Sequence, residues 1–278
     1  MKAMIRKQPQ CIPAAILSCR NSPLGSQEPA RVQLMNPHIA REAIDWTTTW
    51  LIEDSSRVYL GLATVLETGE GDQNELTLLE WKSDYSLDLL ALLPETICPV
   101  EGTVAQVREL VANLEVPELR NFVLDVFKLK EVFQYFWTCP ASIRDHHAFA
   151  GGLAVHSLEV VTAVTQLRSL GQTELCIAIV YALFHDVGKV WSYENGTLTA
   201  EAAELGHEHI GLERMLPSLQ RLRRRWPEGG LMLQALFAGV GYRDDKRRGR
   251  AIGKIVRSLD AFSAEQYMKR AGGRYRKI

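Results

Sequence analysis

Histidine is concentrated in one stretch of this sequence. Four of the seven histidines lie within the 44 positions from 146 to 189: His146, His147, His156 and His185. Two more follow closely: His207 and His209. Neutral imidazole is a common protein ligand for zinc, iron, manganese and nickel ions, whereas a solvated surface does not gather imidazoles. The stretch therefore predicts a metal site, and the chemistry to be expected of it is phosphodiester hydrolysis with a divalent cation.

His185 and Asp186 come directly after residues 174–184, a segment that is apolar almost all round. Such a segment predicts a helix in the middle of a bundle. An ionisable pair at the end of a buried helix is unfavourable unless its charge is compensated, and a divalent cation would compensate it. Gly188, which follows the pair, is predicted to be the C-cap of this helix.

Helical spacing selects two further candidates. His156 lies on an apolar stripe, at offsets of three and four from its apolar neighbours. A lone histidine on such a stripe is more often a hydrogen-bonded core residue than a ligand, so both roles stay open. Asp260 lies at the edge of the apolar stripe of the helix predicted for residues 251–270, where an unpaired carboxylate is disfavoured. It is the candidate for the last ligand, with a surface salt bridge as the alternative.

Three neighbouring residues could take part in the chemistry. His146 and His147 adjoin the loop that leads to His156, and either could be a general acid or orient a metal ligand through a hydrogen bond. One of the two could instead cap the glycine turn at 151–152. Lys189 could neutralise charge on a phosphate, or it could be an ordinary cation at a helix terminus.

The two parts of the chain carry opposite net charge. From residue 221 onward there are sixteen Lys and Arg against five acidic residues, a net charge of +11, while the first 220 residues carry −12. A basic region of this kind predicts single-stranded DNA or RNA as partner, with a merely solvated helix face as the alternative. The predicted contacts are Arg223, Arg224, Arg225, Lys246, Arg247, Arg248 and Arg250.

Length and composition are those of an ordinary soluble globular protein. The chain has 278 residues, 46% apolar and 23% charged. No apolar run reaches the roughly 18 to 20 residues that a membrane span needs. The five cysteines are scattered and form no CxxC pair, which suits a reducing cytoplasm and argues against a cysteine-built zinc site. These features predict a cytoplasmic protein without a membrane partner.

Changes in pattern along the chain predict three regions. Residues 1–30 are predicted to be a flexible tail, residues 31–100 a small α/β or degenerate β-barrel-like domain, and residues 101–278 a helical domain. The small domain is predicted to hold one amphipathic helix and two paired strands, at residues 36–53, 57–66 and 76–81. The predicted fold class is therefore mainly α: an all-helical bundle preceded by a small α/β or β-rich N-terminal domain.

The segment HHAFAGGLAVHSLEV, followed by ALFHDVGK, resembles the HD superfamily of metal-dependent phosphohydrolases. Longer segments of the sequence resemble two groups within this superfamily that act on nucleic acids. CPASIRDHHAFAGGLAVHSLEV and IGKIVRSLDAFSAEQ resemble the TraI/MobH-type relaxases of conjugation. GTLTAEAAELGHEHIG resembles the YhaM-like 3′-to-5′ exoribonucleases, whose members also carry a small β-rich nucleic-acid-binding domain.

The resemblance implies an all-helical HD domain and a set of metal ligands. One divalent ion, whether Mn, Fe, Mg, Ni or Zn, would be held by His156, His185, Asp186 and Asp260. His207, with His209 as its alternative, would bind a second ion or the substrate. This chain has no histidine between 210 and 278, so a complete second metal site would require Asp244 or Asp245.

The expected activity is a metal-dependent phosphodiesterase, a nuclease of relaxase-like or exonuclease-like type. Two alternatives stay open. The first is an HD-type nucleotide or phosphomonoester hydrolase, which would use the same ligands without needing the basic region. The second is a catalytically weak nucleic-acid-binding accessory protein of a mobile element.

Overall fold

The structure, a computed structural model, describes residues 8–20, 29–45, 56–68, 75–239 and 250–270. The chain forms two compact units. The first comprises Met1–Pro94 with Lys128–Lys130, and the second comprises Glu95–Phe127 with Glu131–Ile278.

The first unit contains a closed five-stranded barrel. Its strands are β1 (Gln10–Arg20), β2 (Ala30–Asn36), β3 (Ile39–Asp45), β4 (Tyr59–Thr68) and β5 (Glu75–Ser83). They are hydrogen-bonded in the order β1-β2-β3-β5-β4, and β1 pairs with β4 to close the barrel. All neighbours are antiparallel except β3 and β5, which are parallel.

Alternation of side chains along the strands fills the barrel core. Val32 and Leu34 of β2 and Leu76 and Leu78 of β5 point inward and are buried, because successive side chains of a strand face opposite sides. Ile16 of β1 joins this core. The paired strands predicted for residues 57–66 and 76–81 are confirmed as β4 and β5.

Three other predictions were wrong, one about the fold class and two about the N-terminal region. The fold class is not mainly α, because the first unit is built on a closed barrel and the helical unit also contains a short β-hairpin. The predicted tail includes β1, whose residues Ala14, Ala15, Ile16 and Leu17 are buried. The predicted helix at 36–53 begins instead with the end of β2 and all of β3; residues 46–55 lie outside the described part.

The second unit is mainly helical. Its helices are α1 (Thr103–Ala112), α2 (Pro117–Phe127), α3 (Lys130–Tyr135), α4 (Gly152–Thr165), α5 (Gln172–Phe184), α6 (Lys189–Ser192), α7 (Ala200–Leu205), α8 (His207–Arg225), α9 (Pro227–Phe237) and α10 (Arg250–Arg270). The hairpin of β6 (Tyr193–Glu194) and β7 (Thr197–Leu198) separates α6 from α7.

Helix α5 lies in the middle of the helical unit. All nine residues from Cys176 to Phe184 are buried, as the apolar segment predicted. Within the described ranges, one helical stretch, Gln172–Ser192, is long and apolar enough to cross a membrane, with a mean hydropathy of 1.3. Its most apolar 18-residue window is 78% buried inside the protein. Buried core helices commonly have the same length and apolar composition as membrane spans.

An aromatic cluster packs around the end of α5. The rings of Phe127 and Trp137 are stacked with centroids 5.5 Å apart. Phe127 also makes edge contacts with Phe136 at 5.4 Å and Phe184 at 5.3 Å, and all four residues are fully buried. Because Phe184 directly precedes His185, this cluster anchors the backbone that carries the His-Asp pair.

Replacing Phe127 by alanine should lower the free energy of unfolding by about 3 to 5 kcal/mol, because it leaves a cavity in the centre of this cluster. Urea unfolding measures the change. Phe262→Ala is the matched control, since Phe262 is 57% exposed and should cost about 0.5 kcal/mol or less. Equal losses in the two variants would contradict the assigned core.

Candidate metal centre

Three helices bring two histidines and two aspartates together. Helix α4 carries His156, α10 carries Asp260, and His185 with Asp186 follows the last residue of α5. One donor atom from each of the four side chains lies within 4.8 Å of the others. The side chains that sequence analysis selected as one set therefore converge on a single point in the helical unit.

The distances between imidazole and carboxylate atoms suit a shared cation. His156 Nε2 lies 3.0 Å from Asp260 Oδ1 and 3.8 Å from Asp186 Oδ2. His185 Nε2 lies 3.4 Å from Asp186 Oδ2 and 3.6 Å from Asp260 Oδ1. Ligand atoms that each lie about 2 Å from one zinc-like ion are themselves about 3 Å apart. The four residues could hold such an ion.

The His185 ring leaves one nitrogen without a hydrogen bond. Its Nδ1 lies 2.8 Å from the carbonyl oxygen of Ala182. Because a carbonyl only accepts, Nδ1 carries the proton and donates it. Nε2 is buried and has no hydrogen-bond partner among the described residues. A buried polar atom of this kind between two carboxylates fits a site that a cation completes.

Both aspartates stay ionised although burial by itself would raise their pKa. For Asp186, the charges of His185 and Lys189 outweigh burial and hold the pKa well below its usual range. For Asp260, the adjacent rings of His156 and His185 outweigh burial and lower the pKa. Burial dominates at His156 and lowers its pKa despite the adjacent Asp260 carboxylate, so this ring is neutral at pH 7. The site therefore offers negative charge and a neutral imidazole, as a divalent cation requires.

The protein stripped of metal by a chelator should become less stable as the pH rises towards 9. Burial by itself would lower the pKa of His185, but the charges of the adjacent Asp186 and Asp260 carboxylates outweigh it and raise the pKa to about 9. The unfolded value is about 6.5. The stabilisation is thus complete below pH 6.5 and is lost as the pH rises through about 9, a fall of about 3 kcal/mol.

Urea unfolding at several pH values measures this fall, and His185→Gln should remove the part of it that His185 causes. An unfolding free energy that stays constant from pH 6.5 to pH 9 would mean that the folded protein holds His185 neutral throughout.

Two side chains outside the cluster contact the Asp186 carboxylate. Lys189 Nζ lies 2.5 Å from Oδ2, and His207 Nε2 lies 3.0 Å from Oδ1. Lys189 is buried and begins α6, so it is not the cation at a helix C-terminus that was the alternative in sequence analysis. It contacts the His-Asp pair directly. His207, the first residue of α8, likewise contacts the site.

The rings of His146 and His147 lie next to the ring of His156. The His146 ring is centred 4.8 Å from that of His156, and the His147 ring 5.2 Å. His147 is almost fully buried, adopts a positive φ of 51° and stacks on Tyr267 with centroids 4.2 Å apart. His146, His147 and His156 also form a second group whose donor atoms lie within 4.8 Å of one another.

A cavity of about 260 Å³ opens on the cluster. Its polar wall includes His146, His185, Asp186, Lys189 and Asp260. Its apolar lining is formed by Tyr181, Phe184, Leu212, Met215, Phe237 and Val256. A cavity lined by apolar side chains and a few convergent polar groups is the usual form of a small-ligand site.

The remaining predicted residues lie away from the cluster or outside the described part. His209 is exposed on α8 and does not line the cavity. The side chains of Asp244, Asp245, Lys246, Arg247, Arg248 and Arg250 lie outside the described residues. Arg223, Arg224 and Arg225 are exposed at the far end of α8. At 1.5 Å per residue, Arg223 is about 24 Å along the helix axis from His207.

Gly188 has a different role from the predicted C-cap. Its φ is −59°, an ordinary helical value, and it precedes α6. A Cβ added there would lie 1.8 Å from the carbonyl oxygen of His207. The residue is therefore glycine because the start of α8 crosses the backbone here, and this crossing brings His207 to Asp186.

Sequence analysis missed two residues behind His156. Ser263 Oγ lies 3.3 Å from His156 Nδ1, and Glu159 Oε2 lies 2.6 Å from Ser263 Oγ. Each stands three residues after a predicted ligand, Glu159 after His156 and Ser263 after Asp260. Residues at this spacing share a helix face, so the spacing could have selected them.

Two curated proteins, both named 3′-5′ exoribonuclease YhaM, are similar to part of the chain. The chain is 26% identical over 188 residues to the 3′-5′ exoribonuclease YhaM of Oceanobacillus iheyensis, covering 62% of this chain and 57% of that protein. It is 28% identical over 130 residues to the protein of the same name from a Geobacillus strain, covering 40% of this chain and 39% of that protein. The chain thus matches about half the length of these curated relatives. No family model matches the chain, and no solved structure matches it.

Proposed function

We propose that this chain is an HD-type metal-dependent phosphodiesterase that removes nucleotides from the 3′ end of single-stranded RNA. The observation that carries the proposal is the convergence of His156, His185, Asp186 and Asp260, the last three of which line a cavity, with a buried nitrogen on His185 that has no hydrogen-bond partner among the described residues. The similarity to proteins named 3′-5′ exoribonucleases supports the choice of substrate. Neither relative bears a relaxase name, so the relaxase hypothesis gains no support from them.

The four residues would be the ligands of one divalent cation. When bound, the cation would supply Lewis acidity, which makes hydroxide available near neutral pH and draws charge from a phosphoryl oxygen. Lys189 and His207 would keep Asp186 ionised and correctly oriented, because each contacts one of its two oxygens.

His146 would contact the substrate as a neutral ring. It lines the cavity, and burial together with the adjacent His156 ring and the Lys189 ammonium lowers its pKa to about 4. A general acid must hold its proton at the working pH, so this pKa disfavours the general-acid role considered in sequence analysis. A hydrogen bond from the neutral ring to a phosphate or sugar oxygen is the role that we propose.

The rest of a bound strand would follow basic residues away from the cavity. A volume of about 260 Å³ is near the lower limit of small-ligand sites and suits roughly one nucleotide. Arg223, Arg224 and Arg225 stand about 24 Å from His207, far enough to contact phosphates several nucleotides away.

Closed five-stranded barrels include the OB class, which binds oligonucleotides, and we propose the same role for the first unit.

The test is the digestion of single-stranded RNA labelled at its 5′ end, with the DNA of the same sequence beside it and Mn²⁺ added. We expect a ladder that shortens by one nucleotide at a time and loses the RNA first. Strand affinity should fall with salt, by roughly 0.7 in log-log slope for each phosphate contacted.

The alternatives give different results in the same assay. An internal nick in the DNA would favour the relaxase-like activity. Hydrolysis of free nucleotides without strand binding would favour a nucleotide or phosphomonoester hydrolase. Strand binding with no cleavage under any of the five metals would favour the accessory protein of a mobile element.

A further inference from the structure

The side of His156 that faces away from Asp260 is closed by a serine and a glutamate. Ser263 Oγ of α10 lies 3.3 Å from His156 Nδ1. The same oxygen lies 2.6 Å from Glu159 Oε2 of α4. His156 is fully buried and Ser263 is 8% exposed, so the hydroxyl is the hydrogen-bond partner that the structure provides for Nδ1.

The direction of these hydrogen bonds follows from the number of protons. A serine hydroxyl has one proton to donate, and an ionised carboxylate can only accept. The distance of 2.6 Å between Ser263 and Glu159 is typical of an O–H group bound to a carboxylate. Ser263 therefore donates to Glu159, and its lone pair faces Nδ1. His156 must then donate from Nδ1, which leaves a lone pair on Nε2.

We propose that Ser263 and Glu159 are positioning residues that hold His156 in the Nδ1-protonated tautomer, so that Nε2 is the atom offered to the cation. This inference rests on the proposed metal-dependent function. Nε2 lies 3.0 Å from Asp260 Oδ1. With Nδ1 donating to Ser263, a neutral His156 ring has no proton for Asp260, and two acceptors this close to each other fit a site that a cation completes.

His185 is also held with its proton on Nδ1, but by a backbone carbonyl instead of a serine hydroxyl. There the carbonyl oxygen of Ala182 accepts the proton of Nδ1 and leaves Nε2 free. A backbone carbonyl on the same helix can hold His185, because His185 lies at the helix end. His156 lies in the middle of α4, where the neighbouring carbonyls serve the helix itself, so its partner comes from another helix.

The residues that contact the two ring nitrogens of His156 lie one helical turn apart on the same helix. Asp260 and Ser263 are three residues apart on α10, and they contact Nε2 and Nδ1 respectively. His156 and Glu159 are three residues apart on α4. His147 Nε2 lies 3.3 Å from the Glu159 oxygen that accepts from Ser263, so a third side chain lies beside this carboxylate.

The first test measures the affinity of the metal-free full-length protein for Mn²⁺ by electron paramagnetic resonance. Ser263→Ala and Glu159→Ala should each weaken Mn²⁺ binding by about 10- to 100-fold, as is usual when the hydrogen-bond partner of a ligand is lost. Ser263→Thr keeps the hydroxyl and should restore affinity to within a few-fold of wild type. Ser258→Ala is the matched control, because Ser258 lies on the same helix and bonds only to the carbonyl of Lys254 in the described structure, and its affinity should be unchanged.

The second test observes the tautomer directly in Zn²⁺-loaded protein with ¹⁵N-labelled histidine. Nuclear magnetic resonance should show the proton of His156 on Nδ1 in wild type and in Ser258→Ala. In Glu159→Ala the hydroxyl of Ser263 is free to donate to Nδ1, so a population with the proton on Nε2 should appear when the metal is removed. A wild-type ring protonated on Nε2 in the metal-loaded protein would overturn the inference.

The two proposals fail in distinguishable ways. If Ser263→Ala lowers the melting temperature but leaves Mn²⁺ affinity at the wild-type value while Asp260→Ala abolishes binding, the positioning role alone is wrong. If wild type itself binds neither Mn²⁺ nor Zn²⁺, the proposed function and this inference are both wrong.

Discussion

Asp186→Asn is expected to lower the rate of RNA hydrolysis by at least about 1,000-fold, which corresponds to about 4 kcal/mol of lost transition-state stabilisation. The substitution keeps the shape of the side chain but removes its charge. Asp186 contacts His185, Lys189 and His207, and it faces the point on which the cluster converges. No other carboxylate in the described structure combines these contacts, so we expect the variant to lose its bound metal together with its activity.

Elemental analysis of the purified protein and digestion of labelled RNA measure the two losses. Asp125→Asn is the matched control, because Asp125 pairs with Arg221 and does not line the cavity. Its metal content and its rate should equal those of wild type. Full activity in Asp186→Asn would show that the cluster is not the catalytic centre.

Stability has to be measured beside activity, because Asp186→Asn also leaves the buried ammonium of Lys189 without its ion pair. Removing one partner of a buried pair commonly costs about 3 to 5 kcal/mol. Asp260→Asn is the second variant, since Asp260 is 31% exposed in its side chain and makes no contact with Lys189. It should fold and still lose metal and activity.

Gly188→Ala is expected to lower the free energy of unfolding by about 3 kcal/mol or more. The new Cβ would stand 1.8 Å from the carbonyl oxygen of His207, and a backbone atom cannot move aside as the end of a flexible side chain can. Because α8 must shift, His207 should also move away from Asp186, and the rate of hydrolysis should fall even where the protein remains folded.

Urea unfolding with Gly171→Ala as control measures this effect. Gly171 has an extended backbone, and a Cβ there would meet only the Glu174 side chain at 3.7 Å. The control should lose about 1 kcal/mol or less. If both variants lose the same amount, the close crossing of α8 over Gly188 is wrong.

The errors in the first unit have a common physical origin. Ile39 and Ala43 are four residues apart, a spacing that keeps two side chains on one face of a helix and equally on one face of a strand. In β3 both point towards the barrel interior, with Ala43 buried. The tail was predicted from the average composition of residues 1–30, in which the short apolar run of β1 is diluted. Strands pair with distant partners, and local composition does not contain those partners.

The sequence by itself placed the candidate residues on helices, and the resemblance to the HD superfamily joined them into one predicted set of ligands. The spacing of His156, the apolar segment that ends at His185 and Asp186, and the stripe edge at Asp260 all follow from helical periodicity, because each helix repeats every 3.6 residues whatever it packs against. The structure brings these four side chains to one point. Their service as ligands remains a proposal for the measurements above.

Only the tertiary structure decided which segments far apart in the chain contact each other. It closed the barrel by pairing β1 with β4, placed His207 and Lys189 on the two oxygens of Asp186, and set Ser263 behind His156. Each of these contacts depends on where one element crosses another. A crossing is fixed by packing between segments far apart in the chain, as Gly188 beneath α8 shows, and no local pattern of residues specifies it.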